Sequence, residues 1–344
     1  MSSSAIRLLL VADTHLGFDL PLRPRIERRR RGYDFLANLN RALQPALTGE
    51  VDLVVHGGDL FDRSKAPAAL VDMTMTPLIR VAEAGTPVYL VPGNHERSSI
   101  PLHLWTAHPN LHIFDRPRTF LYSGLKGSIA LSGFPFARKV RDLLPKLVSQ
   151  TGYRQGPDVP HLLCMHQTVE GAQVGVSNYT FRGGPDVVTG QDLPPGFSAV
   201  LSGHIHRAQV LTHDLNRRRL ATSVVYPGAV ERTSFVERNE TKGYMIVTLR
   251  APGHKGDLPA DISFVPLPAR PMVCLSLEPN EVDSQALKDQ LVSRLRLLDP
   301  NSVVRVQVHG PLAVQAFSIL SAEYLRSIAP LSMNIELAVP RVAY

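Results

Sequence analysis

The chain has 344 residues, 44% hydrophobic and 19% charged, a composition that predicts a soluble globular protein of one large or two medium domains and excludes a disordered chain. Lys and Arg outnumber Asp and Glu by 37 to 30, and this net +7 permits a polyanionic partner without requiring one. The two cysteines, Cys164 and Cys274, both lie in apolar runs, which excludes a disulfide framework and a four-thiolate metal site.

The first apolar run, Leu8 to Ala12, is cut by Asp13, too soon for a signal peptide. No stretch reaches the roughly 18 apolar residues of a membrane span, so a cytoplasmic protein without membrane contact is expected. Residues 6–12, 51–56 and 87–91 read as buried strands, with helical apolar spacing over 26–47 and 67–84 between them. Strand alternating with helix implies parallel pairing and a layered α/β fold. From residue 111 the texture changes to short strands, at 111–114, 119–122, 128–133, 161–165, 199–202, 209–212, 220–226 and 244–249. These predict a second, more antiparallel sheet. Residues 171–197, rich in Gly, Pro and polar residues, are long enough for a functional loop. The run Pro266-Leu-Pro-Ala-Arg-Pro271 predicts a boundary, giving domains 1–267 and 268–344. The second would be a small α+β unit of about 75 residues, near the lower limit for folding alone.

Thirteen histidines are present, and their placement carries the chemistry. Asp13-Thr14-His15 follows the first strand, and His56-Gly57-Gly58-Asp59-Leu60-Phe61-Asp62-Arg63 ends the second. Gly93-Asn94-His95-Glu96 ends the third, His166 closes a later strand, and Gly203-His204-Ile205-His206 closes another. Each strand thus delivers metal-competent side chains at its carboxyl end, the edge where ligands bind in open α/β sheets. Side chains two apart in extended backbone point the same way, so Asp13 with His15, and His204 with His206, are expected to share a pocket pairwise. Mixed N and O donors suit Mn, Fe or Zn better than Ca or Mg. Seven such groups exceed what one ion takes, so two divalent ions sharing a bridging carboxylate are expected, roughly 3.5–4 Å apart as in two-metal hydrolases.

Asp13-x-His15, Gly58-Asp59-x-x-Asp62, Gly93-Asn94-His95-Glu96, His166 and Gly203-His204-x-His206 together resemble the signature of the calcineurin-like metallophosphoesterase superfamily. Asp13-Thr-His-Leu-Gly17, His166-Gln-Thr-Val-Glu-Gly171 and Tyr226-Pro-Gly-Ala-Val-Glu-Arg-Thr-Ser-Phe235, with Lys242-Gly-Tyr244 after it, narrow the resemblance to the SbcD-like DNA-repair exonuclease branch. It implies a layered α/β/β/α sandwich of two packed mixed sheets with a small C-terminal capping domain. By the same resemblance Asp13, His15 and His206 hold one ion, Asn94, His166 and His204 the other, and Asp59 lies between them. Mn²⁺ is the favoured metal. A metal-bound hydroxide would attack phosphorus, His95 would assist the leaving oxygen, and the Asp62 side chain would fix the tautomer of His95.

The resemblance further implies DNA as partner, and allows a homodimer and an SbcC-type coiled-coil ATPase, although no amphipathic helical pair for docking such an ATPase is read before Tyr344. The basic run Arg23, Arg25, Arg28, Arg29, Arg30, Arg31 has two readings, a phosphate grip, for which Arg28 and Arg31 are the candidates, or a solvated helix face. Arg63 is a third candidate for a substrate phosphate. His56 is either a partner of the ligands or the polar end of a strand. His103, His108, His112, His161, His213, His254 and His309 are read as ordinary core or surface residues. Two other functions share the pattern. Gly58-Asp-x-x-Asp-Arg63 and Gly-Asn-His-Glu96 also resemble the phosphoprotein phosphatases, although Ser64 stands where those enzymes have Gly, so a phosphatase or small-molecule phosphodiesterase is the alternative. A non-catalytic DNA-binding module is the third.

Overall fold

The structure is a computed structural model that describes residues 5–20, 28–96, 108–156, 158–249, 261–277, 284–309 and 316–338. Of the residues singled out above, Arg23, Arg25, His103 and His254 lie outside that set. The chain opens with strand β1 (Ile6–Val11), helices α1 (Gly32–Ala42) and α2 (Gln44–Leu47), β2 (Leu53–His56), α3 (Ala68–Glu83), β3 (Val88–Leu90) and β4 (Leu111–Ile113). It continues with β5 (Arg118–Gly124), β6 (Gly127–Gly133), α4 (Val140–Gln150) and β7 (His161–Met165). β8 (Thr168–Val169) leads into the long loop, which carries three more two-residue strands, β9 (Gln173–Val174), β10 (Tyr179–Thr180) and β11 (Val187–Val188). Then come β12 (Ala199–Ser202), β13 (Gln209–His213), β14 (Arg219–Tyr226), β15 (Gly243–Leu249) and β16 (Asp261–Pro266).

Two six-stranded sheets result, in the orders β16-β15-β1-β2-β3-β4 and β13-β14-β12-β7-β6-β5. Alternation along β1 explains how they stack. Ile6, Leu8 and Leu10 point into the space between the sheets with Val55, Leu131, Cys164 and Leu201. Leu9 and Val11 point the other way, against Phe35 and Leu39 of α1 and Leu78 of α3. On the far face of the second sheet, Leu163, Met165 and Val200 meet Val140, Leu144 and Val148 of α4. Strands covered on both faces must be apolar on both, which is why they read as continuous runs. The expected α/β/β/α layering is present.

The second sheet is not the more antiparallel one, contrary to the sequence reading. Each large sheet has three parallel and two antiparallel pairings. The cause is α4, a helix with Pro145 inside it that the sequence reading passed over. It serves as the crossover that lets β6 and β7 run parallel. Residues 111–113 and 243–249 also change place, since both join the first sheet. β15 is apolar on both faces, with Tyr244 and Ile246 toward the helices and Met245 and Val247 between the sheets, and it therefore lies inside a sheet, beside β1.

Beyond residue 271 come β17 (Met272–Leu277), α5 (Ser284–Arg296), β18 (Val303–Val308), α6 (Ala316–Ile319), α7 (Ala322–Ile328) and β19 (Asn334–Leu337). These strands pair in chain order and all in parallel, a more regular arrangement than the α+β expectation. Leu275, Leu277, Leu291, Val304, Val306 and Leu325 form a core of their own. Arg270 ties this unit to the sandwich, with Nη1 donating to Asp34 Oδ2 at 3.2 Å and to Asn334 Oδ1 at 2.6 Å.

Candidate metal centre

β1, β2 and β3 in one sheet, and β7 and β12 in the other, end at a common edge. Past their carboxyl ends the candidate ligands meet. His15 Nε2 lies 3.0 Å from His206 Nε2, and Asp13 completes that group, while Asp13 Oδ1 accepts the His204 backbone N–H at 3.0 Å. In the other group, Asn94 Oδ1 lies 2.8 Å from His204 Nδ1 and 3.1 Å from His166 Nε2. Asp59 stands between the two, with Oδ2 at 3.4 Å from His166 Nε2 and 3.8 Å from His15 Nε2. All seven candidates come together, from positions up to 193 apart in the chain.

The backbone that brings them together is not extended. Asp13 (φ 50°), His15 (φ 42°), Asp59 (φ 52°) and His204 (φ 80°) all sit in the left-handed region, a costly conformation for non-glycine residues that collects at functional sites. Strand alternation therefore does not explain the pairs. His15 joins Asp13 through left-handed backbone at both residues, and His204 and His206 go to different groups, one to Asn94 and His166, the other to His15. Close approach supplies the rest: a Cβ on Gly58 would lie 2.2 Å from His166 Nδ1, and one on Gly93 2.2 Å from Asp59 Oδ1.

Each imidazole is oriented from behind. His166 Nδ1 donates to the Gly57 carbonyl at 2.8 Å, since a carbonyl can only accept, and this leaves the Nε2 lone pair facing Asn94 and Asp59. His206 Nδ1 faces Glu237 Oε1 at 3.1 Å with the same consequence. His95 Nδ1 donates at 2.6 Å to the backbone carbonyl of Asp62, not to its side chain. Asp62 thus does hold His95, but through the main chain, because its carboxylate turns instead toward His15 Nδ1 at 3.9 Å and Arg63 Nε at 3.6 Å. His56 is a brace between loops: the Gly58 N–H points at its Nδ1 (3.3 Å), so its Nε2–H donates to Thr14 Oγ1 (3.1 Å), which donates on to the Leu60 carbonyl (3.1 Å).

The electrostatics suit cations. Burial pushes Asp13 up, and Asp13 Oδ2 is buried without a hydrogen-bond partner among the described residues. Burial lowers His15 well below the usual imidazole range, and burial with the neighbouring His166 takes His204 down to about 3, so both rings are neutral and can offer lone pairs. Burial works against the charged form of Asp59, but the His166 imidazole beside it wins and holds the carboxyl far below its ordinary value. Burial likewise opposes charge on His166, yet Asp59 lifts it to about 9. The orphaned carboxylate oxygen and the mixed imidazole, carboxylate and amide donors fit two such ions.

The mouth of the site is an open pocket of about 890 Å³ bordered by Arg63, Asn94, His95, Phe136, Arg138 and His204. Arg63 reaches it and is 85% exposed along its side chain. Arg28 and Arg31 do not reach it. Arg28 forks onto Asp19 with distances of 3.0 and 3.3 Å, and Arg31 is buried over the Phe18 ring, 5.3 Å from its centroid, against Glu231 and the Arg232 carbonyl. Arg28 to Arg31 thus face acids of the chain itself, Asp19, Asp34 and Glu231. Sequence reasoning missed Phe136 and Arg138, which follow β6, and Glu237 and Glu240 behind His206; it singled out Lys242 only as part of a motif, with no role. Glu96, which the motif names without a role, has a buried carboxylate that accepts the N–H groups of Phe61 (2.8 Å) and Gly93 (2.7 Å) and so joins the β2 and β3 loops. These residues carry no metal-donor spacing, so only the position of Phe136 and Arg138 after a parallel strand could have marked them.

The model of the calcineurin-like phosphoesterase family matches residues 6–208. A DNA double-strand break repair protein Mre11 from Methanosarcina mazei is 28% identical over 96% of this chain and 49% of its own length. An uncharacterized metallophosphoesterase, YhaO of Bacillus subtilis, is 27% identical over 61% of this chain and 48% of its own. The chain therefore spans about half the length of the curated relatives it matches. Among solved structures, a dimetal phosphatase from Danio rerio superposes with a TM-score of 0.45 at 11% identity, over 71% of this chain and 93% of that one.

Proposed function

The chain belongs to the calcineurin-like phosphoesterase family, and from that premise we propose that it is a two-metal phosphodiester hydrolase acting on DNA, an SbcD-like repair nuclease that removes nucleotides from ends. The observation that carries this reading is the meeting of Asp13, His15, His206, Asn94, His166 and His204 around Asp59. Asp13, His15 and His206 would hold one ion and Asn94, His166 and His204 the other, with Asp59 shared. Mn²⁺ is the favoured metal, with Fe or Zn as the alternatives. When bound, such a pair supplies Lewis acidity at the phosphoryl group and a nucleophile at neutral pH.

The chain's own residues do the rest. His95, its Nδ1–H fixed by the Asp62 carbonyl, turns Nε2 toward the site, where in its doubly protonated form it gives a proton to the leaving oxygen. Arg63 and Arg138 attract phosphates flanking the scissile one, and the Phe136 ring, 5.8 Å from that of His204, offers a face on which a base can stack. DNA as substrate is supported by the similarity to the Mre11 protein over nearly the whole chain and by the net charge of +7. In this reading residues 1–267 are the nuclease domain, 268–344 cap it, and the protein works in the cytoplasm. Among the described residues no helix is long and apolar enough to cross a membrane.

The test offers the Mn²⁺-loaded protein linear duplex DNA, single-stranded DNA and small phosphomonoesters side by side. Release of nucleotides from DNA with poor monoester turnover is the expected result. Fast monoester turnover with intact DNA would replace the nuclease by a phosphatase, and inactivity throughout would leave a binding module. Co-purification with an SbcC-type ATPase, and sedimentation of the protein alone, test the two partner expectations.

A further inference from the structure

Behind His206, on the side away from the other candidate ligands, lies a buried cluster of charge that the reaction above does not use. The Lys242 side chain is fully buried, and its ammonium lies 2.6 Å from Glu237 Oε2 and donates at 2.8 Å both to Glu240 Oε2 and to the backbone carbonyl of His206. Glu237 Oε1 accepts from the Thr233 hydroxyl at 2.7 Å and faces His206 Nδ1 at 3.1 Å. Glu240 Oε1 faces Arg207 Nε at 3.3 Å.

Removing an ammonium and two carboxylates from water is costly, and well-packed apolar residues would often fill such a space at no loss of stability. What the charges provide is orientation. A carboxylate has only lone pairs to offer, so it makes Nδ1 the proton-bearing nitrogen of His206 and leaves the Nε2 lone pair aimed at His15 and Asp13. Lys242 grips both the carboxylate and the main chain of His206, so the ring and its backbone are fixed from one point. We propose that Glu237, held by Lys242, is a positioning residue that keeps His206 in the tautomer and orientation required to bind metal. This rests on the metal reading above insofar as His206 is taken as a ligand.

Two readouts on the full chain test it. The first is the nitrogen NMR of His206 in the metal-free protein, under alkaline conditions that leave the ring neutral. The wild type should carry its proton on Nδ1, and Glu237→Leu with Lys242→Met should move it wholly or partly to Nε2. The double substitution removes one charge of each sign, and Glu240 keeps Arg207 as its partner. The second readout is calorimetric titration with Mn²⁺. One of the two binding events should weaken about 10–100-fold in the double variant while the other is spared, with Glu237→Gln, nearly the same shape, falling in between. A ring that keeps its Nδ1 proton in the double variant overturns the proposal, and so does unchanged affinity for both ions. If the wild type binds no Mn²⁺ but the proton still moves, the metal reading falls and positioning by Glu237 stands. A merely structural role would lower the melting temperature without moving either readout.

Discussion

His166 and His206 do parallel jobs in the two halves of the centre, but they are braced by different means. His166 rests on the Gly57 carbonyl, a main-chain group of the turn that also carries Asp59. His206 rests on the carboxylate of Glu237, which follows it by 31 positions and is itself held by Lys242. The first brace is built into the turn and leaves substitution little to remove except the space that glycine keeps open. The second consists of side chains and can be deleted one atom group at a time. Similar ligand geometry can therefore have different mutational sensitivity.

The contrast is broken most completely from the main-chain side. Gly58→Ala puts a methyl group 2.2 Å from His166 Nδ1 at a φ of +107°, so His166 must move. Hydrolysis should fall to background with loss of bound metal, as for Asp59→Asn, measured by turnover and metal analysis. Next in size is His95→Gln. It should slow turnover about 10²–10⁴-fold while metal content stays at the wild-type level, because His95 lies on the rim and its ring is held independently of the ligand braces. Loss of metal in that variant would move His95 into the ligand set. The arginines give smaller and opposite signatures. Arg31→Ala should cost about 3 kcal/mol in denaturant unfolding, since it removes the buried guanidinium that packs on Phe18 and faces Glu231, leaving that carboxylate only the Arg232 N–H nearby. Arg63→Ala should change stability by no more than about 0.5 kcal/mol and raise KM for DNA instead.

How much of this was legible in the sequence follows from the range of each signal. Apolar runs at 6–11, 53–56, 88–90, 161–165 and 199–202 sit where they were expected, because strands buried on both faces advertise themselves locally. The placing of β4 and β15 in the first sheet was not legible, since pairing partners are chosen across the chain, and α4 was hidden by a Pro145 that sequence reading treats as a breaker. At the site, all seven expected ligands meet because they follow strand ends in spaced motifs. Glu237 was overlooked, and Lys242 was given no role, because neither coordinates in the expected pattern and their meaning depends on a contact with a residue more than thirty positions away. Arg28 and Arg31 could not be read from the sequence for a related reason: Asp19 and Glu231, which they meet, are scattered in sequence and adjacent only in space.

A crystal of the protein grown with Mn²⁺, with data collected at the manganese absorption edge, reads the central arrangement directly. The account predicts two anomalous peaks roughly 3.5–4 Å apart, one on either side of the Asp59 carboxylate, with His15 and His206 at one and His166 and His204 at the other. A single peak, or peaks away from Asp59, would contradict it.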